Sequence, residues 1–254
     1  MKKYFPVAIF VFNLFVIISC SSSIETANLT AEERLAIALK FYEDEDYLEA
    51  IKEFEAILIQ FPASGINDDA TYYLGMSRFK RGEYLLGAYE FSKLIKSMPT
   101  SEYLSKSQFM LAECYYQLSP DFSLEQRNTV KAIQEFQAFI DFFPLDEKVA
   151  EAEAKIAELN QKLAKKEFET ARIYEKLEYT NAALFYYDNV MQIYHDTEYA
   201  PLAHFNKINL LISKKKFDDA LESAKDFVKN YPNNSKVSEV QKIIVDLEKQ
   251  LSVN

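Results

Sequence analysis

Large apolar side chains return along the chain at fixed distances from five small residues, Ala50, Gly87, Ala132, Ala183 and Ala220. Four positions on stand Phe54, Phe91, Phe136 and Tyr187, with Ala224 the exception; seven on stand Ile57, Leu94, Phe139, Val190 and Phe227. Eleven on come Phe61, Met98, Phe143, Tyr194 and Tyr231. Offsets of 0, 4, 7 and 11 trace one face of an α-helix. Twelve on come Pro62, Pro99, Pro144, His195 and Pro232, and proline stops a helix because its ring disfavours helical geometry in the residue before it. Shortly beyond, Ser64, Ser101, Asp146, Thr197 and Ser235 offer side-chain oxygens, so each is expected to cap the helix that follows.

The five origins advance by 37, 45, 51 and 37 residues, close to the roughly 34 of a tetratricopeptide unit plus loop or helix extensions. In the second unit the preceding helix matches as well, with Leu74, Gly75, Phe79, Gly82 and Tyr84 where that repeat prefers aliphatic, small, aromatic, glycine and aromatic residues; the first unit has Ile37, Ala38, Phe41 and Tyr47 in similar places. The chain therefore resembles the tetratricopeptide family, which implies an all-α fold: a right-handed superhelical stack of five helix pairs closed by a C-terminal capping helix, here "SKVSEVQKIIVDLEKQL" at 235–251. Repeats 1–3 are expected over 31–145, and repeats 4–5 with the cap over 146–254. Two units depart from the spacing. In the third, "QLSPDFSLEQRNT" lengthens the turn between helices, with Pro120 breaking one helix and Asn128 or Thr129 able to cap the next. In the fourth, residues 146–178 read as one long helix with Val149, Ile156, Leu159, Leu163 and Tyr174 on or near one stripe.

The N-terminus changes the setting of this stack. Lys2 and Lys3 precede an uncharged run from Tyr4 to Ser19, the layout of an export signal that is removed. The run is shorter than the roughly 20 apolar residues a spanning helix needs, and it carries Pro6 and Asn13. Ile17-Ile18-Ser19-Cys20 resembles a bacterial lipobox, so residues 1–19 are expected to be cleaved and Cys20 acylated at the head of a flexible linker over 20–30. Losing Lys2 and Lys3 from 29 basic residues leaves 27 against 39 acidic, a net charge of −12. Such a surface does not gather nucleic acid by bulk electrostatics. With Cys20 acylated, Cys114 has no disulfide partner, and stability must come from packing.

The sequence shows no catalytic or metal constellation. His195 occupies a helix-stop position and His204 the next helix, without the spacing of a metal pair. Four scattered glycines cannot build a phosphate loop or a nucleophile elbow. "EDEDY" at 43–47 and "SKKKF" at 213–217 read as solvated turns, and no cofactor is expected. What remains is a surface. The first helix of each pair lines the concave side of such a stack, and the register puts Leu39, Tyr42, Tyr72, Met76, Phe79, Phe109 and Tyr116 there, with Lys80 and Arg81 close by.

Two stretches carry a narrower resemblance. "KLAKKEFETARIYEKLEYTNAALFYYDNVMQIYHDTEYAPLA" at 162–203 and "FPASGINDDATYYLGMSRFKRGEY" at 61–84 are similar to the BamD family, lipoproteins of the outer-membrane β-barrel assembly machine; the usual Tyr-Pro stop of the fourth unit is Tyr194-His195 here. The resemblance implies a scaffold anchored on the periplasmic face of the outer membrane. Its C-terminal repeats would hold the periplasmic domain of the barrel-inserting subunit, and its N-terminal repeats the C-terminal targeting segment of unfolded outer-membrane proteins; accessory lipoproteins are further partners. In that reading Tyr72, Phe79 and Phe109 take side chains and Lys80 or Arg81 a carboxylate, while Gln126, Arg127, Phe168, Tyr174 and Tyr179 meet the barrel subunit. The alternative is a lipoprotein of the same architecture serving cell-wall or division proteins. A glycan-binding nutrient lipoprotein fits poorly, because sugar platforms favour Trp and the chain has none.

Overall fold

The computed structural model describes residues 29–252; the expected export signal and Cys20 lie outside them. Eleven helices follow one another among these residues. Five pairs are α1 (Ala31–Glu43) with α2 (Tyr47–Gln60), α3 (Asn67–Lys80) with α4 (Tyr84–Ser97), α5 (Leu104–Gln117) with α6 (Arg127–Phe142), α7 (Val149–Lys176) with α8 (Thr180–Ile193), and α9 (Tyr199–Ser213) with α10 (Phe217–Asn230). Then α11 (Val237–Ser252) turns Val240 and Leu247 inward and covers the open end of the last pair. Each helix packs chiefly on its neighbours in sequence, as a repeat stack requires.

The pairs close by matching small against large. Ala38, Gly75, Ala112 and Ala171 on the first helices share buried clusters or direct contact with Phe54, Phe91, Phe136 and Tyr187 on the second. The fifth pair reverses the arrangement. Ile208 stands where the others have Ala or Gly, and it packs with Ala224, the residue that breaks the aromatic column in the sequence. The filled volume is kept while its source changes helix, which close-packed interiors tolerate better than a void.

The helix starts correct the expected caps. Thr30 does cap α1, taking the Glu33 amide at 3.2 Å while Glu33 takes the Thr30 amide at 2.9 Å. Ser64, Ser101, Asp146 and Thr197, by contrast, stand before the cap residues Ile66, Tyr103, Lys148 and Glu198. They build a tight turn ahead of the helix: Ser101 Oγ accepts from the Tyr103 amide at 3.1 Å and Asp146 Oδ1 from the Lys148 amide at 2.9 Å. In the last unit Asn234 Oδ1, not Ser235, does this for the Lys236 amide. Asn128 and Thr129 do not cap α6 either, because it already begins at Arg127 with Gln126 before it; Asn128 Nδ2 donates instead to the Leu118 carbonyl at the end of α5, at 3.2 Å. The same turn at Asp146 delays the long helix to Val149, and it ends at Lys176, still twice the length of α3 or α8 at 28 residues against 14.

Four of the turns inside pairs reverse through a left-handed residue: Glu45, Gly82, Glu178 and Lys215, at φ 61°, 75°, 62° and 59°. Amides of the next residues reach back five positions, Asp46 to the Phe41 carbonyl, Glu83 to Arg78, Tyr179 to Tyr174 and Lys216 to Leu211, satisfying the last helical carbonyls. Only Gly82 adopts this geometry without Cβ crowding. Lys215→Gly and Glu178→Gly are therefore expected to raise unfolding stability by up to about 1 kcal/mol each, after the entropy that glycine adds to the unfolded chain. Urea midpoints compared at constant slope would check this, and a lowered midpoint would refute it.

Candidate functional site

A cleft of about 530 Å³ opens between α3, α5 and the turn before α7. The Ser105 hydroxyl donates to Asp146, tying that turn to the start of α5. Phe109 forms the floor, almost fully buried and edge-on to Phe136 and Phe139 at centroid distances of 5.6 and 5.3 Å. Tyr72 forms one wall, stacked on Tyr103 at 4.5 Å; burial pushes its phenol up to about 12, so it stays a neutral donor. Lys148 Nζ lies 4.4 Å over the Phe109 ring and Lys106 Nζ 5.4 Å over Tyr103. Lys148 Nζ also pairs with Glu151 at 3.0 Å, and Asp146 and Glu147 join the lining, so the aromatic floor suits an apolar side chain on a segment whose backbone meets charges of both signs.

The remaining groove residues spread away from this cleft. Leu39 packs on the first core, and Tyr42 meets Tyr73 edge-on at 5.2 Å. Met76 and Phe79 lie against the Phe91 cluster, Phe79 edge-on to Tyr84 at 5.3 Å. Tyr116 is covered by the long helix, its hydroxyl donating to Glu158 at 2.7 Å with Lys155 Nζ 4.1 Å over the ring. Lys80 and Arg81 do not line the cleft: they end α3, about 12 Å along the axis from Tyr72, and Arg81 pairs with Glu83 at 2.7 Å. The cations at the cleft are Lys106 and Lys148, which sequence reasoning missed. They lie 34 and 76 positions from Tyr72, and only the stack brings them near it.

A second surface forms where α7 turns into α8. Tyr174 stacks on Tyr186 at 5.3 Å and meets Tyr179 edge-on at 6.2 Å, with Phe185 edge-on to Tyr186 at 5.4 Å. Ile173, Leu177, Tyr179 and Phe185 all stand more than half exposed. Ile173 in the last turn of α7 and Leu177 just past its end form a second apolar face that the buried stripe masks in the sequence. Phe168 sits inside the fold, between the rings of Tyr187 and Tyr199 at 6.0 and 5.6 Å. Gln126 is buried too. Its amide donates to the Asp121 and Leu124 carbonyls at 2.7 and 2.9 Å, which shapes the enlarged third turn and leaves Arg127 exposed beside it. Lysines of α7 clamp that turn: Lys162 Nζ donates to Ser119 Oγ and Lys166 Nζ to the Leu124 carbonyl, each at 2.8 Å, and Lys165 Nζ lies 4.2 Å over Phe122.

His195 is exposed beside Asp196 at 2.7 Å, and His204 is buried with Nε2 3.1 Å from Ser223 Oγ. Cys114 is fully buried, and burial pushes its thiol up to about 12.

The profile of a family described as YfiO, outer membrane lipoprotein, matches residues 28–216, a span that contains both surfaces. Among curated proteins, the outer membrane protein assembly factor BamD of Rickettsia prowazekii (strain Madrid E) is 24% identical over 198 residues, covering 78% of this chain and 79% of that protein. BamD of Pasteurella multocida (strain Pm70) is 24% identical over 208 residues, covering 78% and 80%. A solved structure of a thermophilic TPR protein from Thermus thermophilus is 16% identical with a TM-score of 0.37, covering 85% of this chain and all of that one.

Proposed function

This chain belongs to the YfiO family of outer membrane lipoproteins, and on that premise we propose that it is a non-catalytic scaffold of outer-membrane protein assembly, held by acylated Cys20 on the periplasmic face of the outer membrane. The observation that carries the reading is the presence on one stack of two unlike surfaces, an aromatic cleft and an exposed apolar patch. The cleft among the first three pairs, with its aromatic floor and Lys106 and Lys148, suits the C-terminal targeting segment of an unfolded outer-membrane protein. The patch of Ile173, Leu177, Tyr179 and Phe185 suits the periplasmic domain of the barrel-inserting subunit, and Arg127 on the clamped third turn offers that partner a second, separate contact. Exposed aromatics clustered around a shallow hollow are the usual anchors of protein interfaces.

The test is a gentle detergent pull-down of the tagged, lipidated protein from envelope membranes. A large outer-membrane barrel protein with periplasmic repeats is the expected companion. Leu177→Glu with Tyr179→Glu is expected to cost about 2 kcal/mol or more per anchor, so that the companion is lost, while photocrosslinkers at Lys106 and Lys148 still capture unfolded barrel proteins. Recovery of wall or division proteins in its place would overturn the reading.

A further inference from the structure

Another cleft, of about 400 Å³, runs over α9 between α8 and α10 and belongs to neither surface described above. Leu184, Asp188 and Met191 of α8 line one side, and Asp219, Glu222 and Asp226 of α10 the other. From α9, which packs on both, come His204, Lys207 and Leu211, with Ser223 beside His204. Lys216 closes the end where α10 begins. The lining holds four carboxylates against two ammonium groups. One of each is already matched, Lys207 Nζ lying 2.7 Å from Asp188 Oδ1. Asp219, Glu222 and Asp226 make no ion pair among the described residues, and they share one stripe of α10, the second and third standing about 4.5 and 10.5 Å along the axis from the first.

The remaining charges nearby do not neutralise that stripe. Lys214 and Lys215 precede Lys216 in the turn, with Asp218 after it, so cations gather at the Asp219 end and the acidic character is strongest at Glu222 and Asp226. Lys225 is engaged elsewhere, 2.7 Å from Glu248 of α11. His204 adds an observation independent of charge. It is 1% exposed, its Nε2 lies 3.1 Å from Ser223 Oγ, and its Nδ1 has no hydrogen-bond partner, although buried polar atoms are nearly always paired. Burial and then Lys207 keep the imidazole neutral near pH 7, so one ring nitrogen is an acceptor. If Nε2 donates to Ser223 Oγ, Nδ1 is the nitrogen free to accept from an N–H in the cleft.

We propose that this cleft binds a linear polyamine, with one ammonium group held by Glu222 and Asp226 over His204, another by Asp219, and the alkyl chain between them along Leu184 and Met191. A compact metal ion does not suit the site, because among the described residues no three acidic, histidine or cysteine side chains converge as a metal requires. Charges strung along a helix call for cations strung along a chain, and the ammonium groups of a polyamine stand a few methylenes apart. Hydrogen bonds from an ammonium to carboxylates are the strong, charge-assisted kind, and half-buried Leu184 and Met191 give the methylenes an apolar side to lie on. The site is independent of the lipid anchor and of both surfaces assigned to protein partners.

Calorimetric titration of the full lipidated protein, in nonionic detergent at physiological salt, with spermidine as the probe provides the test. One saturable site per chain is expected. Glu222→Gln with Asp226→Asn should weaken it at least about tenfold, and both positions are exposed, so the fold is not at stake. Glu43→Gln with Asp44→Asn removes the same charge from the α1–α2 turn and should leave the affinity unchanged. His204→Phe keeps the ring, removes the acceptor and should weaken binding as well. If the cleft pair and the turn pair bind spermidine alike, the probe follows the net charge of the chain and the proposal falls. It falls equally if wild type shows no saturable site, since the three carboxylates are then only a solvated helix face.

Discussion

Phe91→Ala is expected to destabilise the stack by about 3–5 kcal/mol and Gly75→Val by about 1–3 kcal/mol, yet the two together should cost less than their sum. Phe91 is fully buried among Ala88, Leu111 and Cys114. A Cβ at Gly75 would stand 2.8 Å from its Cε1 and 2.9 Å from Cζ, closer than carbon atoms approach. The ring cannot retreat, because α4 is itself pressed on α3: a Cβ at Gly87 would lie 3.2 Å from the Gly75 carbonyl oxygen. Valine at 75 therefore overpacks, alanine at 91 leaves a void, and each relieves the other. Residues in direct contact couple by roughly 0.5–3 kcal/mol, and the urea midpoints of wild type, both single variants and the double variant measure that coupling. The fifth pair already holds this exchange, with Ile208 over Ala224. Strictly additive costs would show that α3 and α4 do not meet as described. Tyr72 lies 6.0 Å from Phe91, so Phe91→Ala should also loosen the cleft wall.

Acid should weaken the C-terminal pairs through His204. The imidazole is fully buried, with Phe227 and Tyr231 edge-on at 5.4 and 5.8 Å. Burial first, then the nearby Lys207, lowers it to about 4, against the smaller opposing pull of the Ser223 contact, Asp226 and Asp188. Its folded value lies below its unfolded value, so the unfolded chain binds the proton more readily. The stability that neutral His204 contributes is whole above about pH 6.5, falls as the pH drops and is gone below about 4, a loss on the order of 3 kcal/mol. Carboxylates titrate in the lower part of that window as well, so the informative quantity is a difference. His204→Phe keeps an aromatic ring and loses the proton site, and its unfolding free energy should fall less than that of wild type between pH 7 and 4.5. Parallel curves for the two proteins would refute the assignment.

The helical register was legible because its causes are local. Offsets of 0, 4, 7 and 11 from a small residue, closed by a proline, specify a helix face and its end without reference to any partner. The same locality explains the misplaced caps. Ser101 and Asp146 are the right residue types in the right neighbourhood, and whether an oxygen caps the helix or a turn ahead of it depends on two intervening residues whose conformation the neighbouring helix sets. Ala224 stands as a defect in the column when α10 is read alone, and Ile208 of α9 fills its place, since volume balance is a property of two helices at once.

By itself, then, the sequence determined the number of pairs, the long seventh helix, the small and large columns and the acidic balance, all of them counted along one chain with short-range physics. Only the tertiary structure decided which charges and rings share a surface. It moved the cleft's cations from Lys80 and Arg81 to Lys106 and Lys148, buried Gln126 and Phe168, and turned Ile173, Leu177 and Phe185 outward beside Tyr174 and Tyr179. Those outcomes depend on how closely successive helices approach, and that approach is set by contacts such as Gly75 on Phe91, whose effect on residues dozens of positions away appears only when the stack closes.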